Sequence, residues 1–215
     1  MFITLEGIDG SGKSTAAQII AERLRERFGI RPYLTSELNH TAFGLEIKKL
    51  INKGVDARTE LQLIVAARSH HMESVLIPQL DAGVWVICDR FINSTLAYQG
   101  HGRKLGVKAV LDAHINMPNM PVPDLTIFIQ VTPATARLRL KSRGVSEPMD
   151  NQDPEFYERV NDGFFNDPFG PEIPDYSLTI TNEDIPIEQF EAAVAASLDI
   201  FLQSKGVKKA CNDAA

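Results

Sequence analysis

Five short apolar runs, each closing on a polar or charged residue or a turn, punctuate the chain: Phe2–Glu6, Pro32–Thr35, Val84–Asp89, Leu125–Val131 and Leu178–Thr181. Their lengths suit strands, and their near-continuous apolar character suits strands covered on both faces. Helical patterns fill the intervals, at about 13–28, 42–53, 57–82, 107–116, 133–142, 154–165 and 186–203. Strands alternating with helices predict an α/β fold with a central five-stranded parallel sheet flanked by helices. In such sheets ligands gather beyond the carboxyl ends of the strands. Pro118, Pro121 and Pro123 exclude helix and mark an extended approach to the Leu125 run. Asn166–Pro174, with three prolines, reads as a loop. The pattern therefore predicts one domain over residues 1–205, a short lid at about 142–153 and a frayed tail at 206–215.

The first run leads directly into Gly7-Ile8-Asp9-Gly10-Ser11-Gly12-Lys13-Ser14-Thr15, which is G-x-x-x-x-G-K-[ST] with a strand before it and a helix after it. Glycines let the backbone wrap a polyphosphate and aim its N–H groups inward. Lys13 neutralises the β/γ oxygens, and the Ser14 hydroxyl can ligate Mg²⁺. The helix that follows points its positive end at the phosphates. Residues 7–15 therefore predict binding of a nucleoside triphosphate.

The third run ends in Asp89-Arg90. An acid there can hold Mg²⁺ directly or through water, which makes Ser14 and Asp89 the candidate metal residues. The adjacent guanidinium can grip a second phosphate bidentately. A plain surface ion pair is the structural alternative. Phe91–Gly100 reads as a strand-to-helix connection rich in hydroxyls and amides. Thr95, Tyr98 and Gln99 can pair with a base edge or a sugar hydroxyl, whereas helix capping is the favoured role of Asn93 and Ser94. Arg68 sits among Leu63, Ile64, Val65, Ala66 and Ala67, so its charge must reach solvent or find a partner, either a ligand carbonyl or a structural carboxylate. His40, His70, His71, His101 and His114 lack ligand spacing and read as helix-surface residues. Around Arg137–Asp153 a basic helix end runs into a Gly/Ser/Pro-containing connector. Arg137 and Arg139 suit the helix dipole there, and Arg143 is the best candidate for a catalytic arginine on a lid.

Composition narrows the partners. With 22 Lys+Arg against 28 Asp+Glu, the net charge of −6 provides no basic stripe to track a nucleic-acid backbone. No apolar run approaches the ~18 residues of a membrane span. The two cysteines form neither a disulfide framework nor a zinc pattern, which fits a cytoplasmic protein. Cys88 reads as a small core residue, and Cys211 lies in a polar tail.

Taken together, these motifs resemble the thymidylate kinases. The resemblance runs from Phe2 to about Phe165 and again near Leu178–Thr181. It rests on Leu5–Thr15, on Asp89-Arg90-Phe91 with Ser94–Gly100, on Pro123-Asp124-Leu125-Thr126 and on Glu155–Val160. It implies transfer of the ATP γ-phosphate to dTMP with Mg²⁺, and a homodimer formed through helices. It places ATP on residues 7–15. Asp9 falls near the acceptor's sugar and phosphate, Arg90 on the acceptor phosphate, and Arg68 on a thymine carbonyl. Glu37, Ile64, Thr95 and Gln99 fall about the acceptor, and Tyr98 lies under a sugar whose 2′-hydroxyl would clash. The phosphate loop contains no arginine, so the resemblance implies the bacterial arrangement with a lid arginine, Arg143. The catalytic set is then Lys13, Arg143, Asp9 and Arg90.

Three positions depart from the family pattern. Ser36 stands where the family carries an arginine toward the acceptor phosphate. The loss of one charge-assisted contact is worth about 1.5–3 kcal/mol unless Lys48, Lys49 or His40 compensates. Ile64 replaces a stacking phenylalanine, and Pro148 replaces a lid arginine. The sequence thus leaves two other readings open: the same chemistry on a 5-substituted deoxyuridylate or another deoxynucleotide, and a nucleotide-binding module without catalysis.

Overall fold

The computed structural model describes residues 1–117, 119–142, 144, 153–166 and 176–209. Its centre is a five-stranded sheet made of β1 (Phe2–Glu6), β2 (Tyr33–Ser36), β3 (Val86–Asp89), β4 (Leu125–Gln130) and β5 (Ser177–Thr181). The order is β2-β3-β1-β4-β5 with every pairing parallel. β1 is central and buried at every position, which is why its run reads as continuously apolar rather than alternating.

Helices cover both faces. α1 (Lys13–Phe28) and α9 (Ile187–Ser204) lie on one face, where Ile20, Leu24, Phe190, Val194 and Phe201 pack against Ile3, Leu5, Ile127 and Ile129. α1 ends where Gly29 adopts φ +68° and returns its N–H to the Arg25 carbonyl. The opposite face carries α3 (Ala57–His71), α4 (Ile77–Asp81), α6 (Val107–His114) and α8 (Pro154–Phe165), while α2 (Ala42–Asn52) packs on α3. α7 (Pro133–Ser142) follows β4.

Two stretches differ from the sequence expectation. The helix expected over 57–82 is interrupted at Met72–Leu76 by a π-helical segment before α4. The stretch expected as a connection after β3 is itself helical: α5 (Ile92–Thr95) continues into a π-helical segment, Leu96–Gly102. This segment lies against α8, and the packing demands glycine at 102. A Cβ there would sit 2.6 Å from a Val160 methyl and 2.7 Å from the Phe156 ring. Tertiary packing thus overrides the weak helix propensity of a Gly- and hydroxyl-rich segment. Cys88 is buried on β3 with a free thiol. The loop expected at 166–174 lies outside the described residues from 167 onward. So do Arg143, Pro148, Cys211 and nearly all of the expected lid.

Candidate active site

All the candidate residues described by the structure lie at the carboxyl ends of β1, β2 and β3 or on the helices facing them. β1 delivers the chain into the phosphate loop. Gly7 takes φ +143°, and a Cβ there would come within 2.5 Å of the Ile129 carbonyl oxygen. Gly10, at φ +83°, would collide with the Ala136 carbonyl at 2.6 Å. Neither position admits a side chain. Lys13 is buried, and its Nζ donates to the Ile8 carbonyl at 2.9 Å. Burial, reinforced by Arg90, lowers its pKa, against the pull of Asp89, Asp9 and Glu6. Asn182, just past β5, donates its amide N–H to Ser11 O at 2.7 Å and fastens the loop from the side.

The loop and β3 meet at Ser14, whose Oγ donates to Asp89 Oδ2 at 3.0 Å. Among the described residues, Asp89 Oδ1 and Ser11 Oγ are buried without any hydrogen-bond partner. Orphaned acceptors of this kind are destabilising by about 1–3 kcal/mol each unless a ligand completes them. A hydroxyl and a carboxylate are hard oxygen donors that suit Mg²⁺ beside a triphosphate. The donor set therefore fits the cation that the loop motif implies.

Arg90 follows directly, with φ +74°, a conformation L-residues rarely adopt. It is fixed from both sides. Its own N–H donates to Leu5 O at 2.9 Å. The next N–H, of Phe91, donates to Glu6 Oε1 at 2.8 Å, and the Cys88 thiol donates to Arg90 O at 3.1 Å. The guanidinium donates to Gly7 O and Ser94 Oγ, both at 3.0 Å, and to Asp9 Oδ1 at 2.6 Å, and it lies 5.0 Å from the centre of the Tyr98 ring. Burial alone would raise the Asp9 carboxyl, but Arg90 and Lys13 outweigh it and hold that group well below the usual carboxylate range. Glu6 shows the opposite balance. Burial pushes it up to about 7, against the hydroxyl of Ser94, 2.5 Å away, and the charge of Arg90.

One cavity is lined by Asp9, Glu37, Leu38, Ile64, Arg68, Arg90, Phe91, Ser94, Thr95, Tyr98 and Gln99. Every residue expected about the acceptor thus borders the same space, including Ile64 in place of the family's phenylalanine. The wall is a network of paired charges. Arg68, only 2% exposed, donates Nε–H to Glu37 Oε2 at 2.8 Å. Its Nη2 serves Phe91 O and Thr95 Oγ1, and its Nη1 lies 2.6 Å from His114 Nε2. Arginine only donates, so His114 must accept at Nε2 and donate Nδ1–H to Val110 O, 2.7 Å away. Burial, then the Arg68 charge, lowers His114 to about 4 and keeps it neutral. Glu37, despite burial, is held below the usual range by Arg68 and His71.

Several sequence readings are corrected here. His71 and His114 are buried partners of Glu37 and Arg68, not helix-surface residues. Asn93 and Ser94 do not cap α5, which begins at Ile92 without a side-chain cap; the Ser94 hydroxyl bridges Arg90 and Glu6 instead. Of the alternatives open for Arg68, the carboxylate is present, while the side chain also borders the cavity. Arg139 does more than suit a helix dipole, since its Nη2 donates to Asn182 O at 2.8 Å. Sequence reasoning missed Glu6, His114 and Asn182 as parts of the site. Glu6, a lone charge closing an apolar strand, was the one with a visible signal.

A second hollow lies across the phosphate loop, bordered by Gly10, Gly12, Thr15, Arg139, Asn182 and Phe190. Two hollows sharing one phosphate loop on a β2-β3-β1-β4-β5 parallel sheet define a P-loop nucleoside monophosphate kinase. The family model for thymidylate kinase matches residues 5–172. A thymidylate kinase of Carboxydothermus hydrogenoformans is 39% identical over 166 residues, covering 76% of this chain and 81% of the relative. One from Legionella pneumophila strain Corby is 32% identical over 206 residues, covering 94% and 95%. The crystal structure of thymidylate kinase from Ehrlichia chaffeensis superposes with a TM-score of 0.70 at 32% identity, covering 94% of this chain and 98% of that one. The chain belongs to the thymidylate kinase family. It is an ATP:dTMP phosphotransferase that forms dTDP and ADP, with Mg²⁺ as the usual cation. Another acceptor and a non-catalytic module, both left open by the sequence, are not favoured by these matches.

Proposed function

We propose that the transfer takes place on the phosphate loop, between the cavity bordered by Asp9 and the hollow bordered by Gly10 and Gly12. The sharing of one loop by two hollows carries this reading. ATP would place its base and sugar in the second hollow and its phosphates on residues 7–15. dTMP would fill the first, with Arg90 on its phosphate, Tyr98 beside its sugar, and Arg68, Thr95 and Gln99 along its base edge. A dTMP phosphate oxygen then attacks the γ-phosphorus in line, and ADP leaves. Ser14 and Asp89 would hold Mg²⁺, which neutralises charge developing on the phosphates.

In this scheme the protein's contribution is alignment and electrostatics. Lys13 draws electron density from the migrating group. Asp9 fixes the Arg90 fork, and the resemblance assigns Arg143, outside the described residues, to stabilise the transferring phosphoryl. Ser36 leaves the acceptor phosphate to Arg90 and to any help from Lys48, Lys49 or His40. Among the described residues no helix is long and apolar enough to cross a membrane. The free Cys88 and the absence of a cysteine framework support a cytoplasmic setting. Phe43 and Leu50, seven residues apart on α2 and both more than 40% exposed, support a homodimer. The site assignment is tested by Asp89→Asn. This variant should raise the Mg²⁺ concentration needed for half-maximal rate and leave the dTMP KM near that of the parent; an unchanged Mg²⁺ requirement would remove Asp89 from the metal site.

A further inference from the structure

We propose that Glu60 is a positioning residue that sets base selectivity by fixing which end of the Gln99 amide faces the acceptor cavity. The inference rests on the placement of dTMP given above.

Glu60 lies in the first turn of α3 and is 2% exposed. Its carboxylate is held from behind by Arg103, with Nη2–Oε2 at 3.0 Å and Nε–Oε1 at 3.2 Å. In front, Gln99 Nε2 donates to Glu60 Oε1 at 2.7 Å. A carboxylate paired with an arginine only accepts. The Gln99 NH₂ must therefore turn toward Glu60, and its Oε1 becomes the end left to the cavity that Gln99 borders. Without Glu60, nothing in this contact distinguishes the two ends of the amide.

The neighbouring group has the opposite polarity. Nε–H and both Nη2 hydrogens of Arg68 are committed to Glu37, Phe91 and Thr95, and one Nη1 hydrogen is committed to His114. The second Nη1–H is the donor left over. The cavity thus offers an acceptor from Gln99 beside a donor from Arg68. A 4-oxo pyrimidine matches with its N3–H donor and its 4-carbonyl acceptor. A 4-amino pyrimidine presents an acceptor at N3 and a donor at position 4, which is mismatched at both. A site whose buried polar groups are left unpaired discriminates far more strongly than one reading shape alone.

The test compares kcat/KM for dTMP, dCMP and the 2′-deoxyribonucleoside monophosphate of pyrimidin-2-one. The last carries an N3 acceptor and no substituent at position 4, so it isolates the N3 contact from Arg68. For Glu60→Gln, whose amide offers an N–H as readily as an oxygen, the dTMP:pyrimidin-2-one ratio should fall by about tenfold or more. The dTMP:dCMP ratio should fall less, because the Arg68 mismatch persists. Glu60→Asp keeps the charge but withdraws it from Gln99 and should shift the ratios the same way; it supplies the reading if the first variant does not fold. A merely structural role would lower activity on all three acceptors together. Ratios within twofold of the parent in a folded variant would overturn the proposal. A parent enzyme that fails to phosphorylate dTMP would instead overturn the placement of dTMP, and this inference with it.

Discussion

Arg90 Nη2 and Asp9 Oδ1, 2.6 Å apart, form an ion pair that joins the end of β3 to the phosphate loop and borders the acceptor cavity. The same guanidinium reaches Gly7 O and Ser94 Oγ, so its orientation is fixed by three residues, two on the phosphate loop and one on α5. A lysine retains the charge but not the fork. Arg90→Lys should raise the dTMP KM by roughly tenfold and lower kcat by about a hundredfold, with the ATP KM changing less than about threefold. Steady-state kinetics with each substrate varied in turn would show this, and a defect confined to ATP would place Arg90 on the donor instead.

Tyr98 packs its ring beneath Arg90 and donates its hydroxyl to Asp9 Oδ2 at 3.2 Å. Its place in the wall puts a rigid ring where the proposed placement of dTMP sets the acceptor sugar. Tyr98→Ala should raise the kcat/KM of UMP relative to dUMP, the pair that differs only at the 2′ position. Unchanged rejection of the ribonucleotide would take the sugar gate away from this residue.

His114 gives the fold a pH dependence of definite sign. Its pKa falls from 6.5 to about 4 on folding, so between these values the unfolded chain binds the extra proton and stability rises with pH. Glu6, raised from 4.5 to about 7, acts in the opposite sense. Its neutral form suits the native site, so its contribution is full below pH 4.5 and is lost as pH rises toward 7. The two windows overlap and offset each other in the parent protein. Relative to His114→Gln, the parent should gain up to about 3 kcal/mol between pH 4 and 6.5. Urea unfolding of both proteins across that range is the measurement, and parallel curves would mean that His114 is not neutral against Arg68.

Arg143→Ala should lower kcat by about a thousandfold or more while leaving both KM values within a few-fold, as expected of a cation that acts on the transferring phosphoryl. Full turnover in this variant would return the catalytic role to Lys13, Asp9 and Arg90.

The framework of the fold was legible because it is written in local patterns. β1, the loop and α1 read directly from Phe2 to Phe28, and each of the five strands was found within two residues of its observed ends. The segment from Ile92 to Gly102 was not legible. Its hydroxyls and glycines carry little helical propensity, and its helix is imposed by α8 through Phe156 and Val160, more than fifty residues away. The residues that line the cavity could be named from motif and resemblance, but the side chains that hold them could not. Glu6 with Ser94, Arg68 with His114 and Glu60 with Gln99 lie 88, 46 and 39 residues apart. Such pairs leave no periodic trace. A buried histidine and a surface histidine on a helix also look alike until packing shows which face is covered.

The most direct test of this transfer is coupled ADP release with ATP and Mg²⁺ across dTMP, dUMP, dCMP, dGMP and UMP, beside a control without acceptor. Acceptor-dependent release with dTMP preferred, and its disappearance in Lys13→Ala, is the expected result. Release that does not depend on an acceptor, or a clear preference for one other than dTMP, would contradict it.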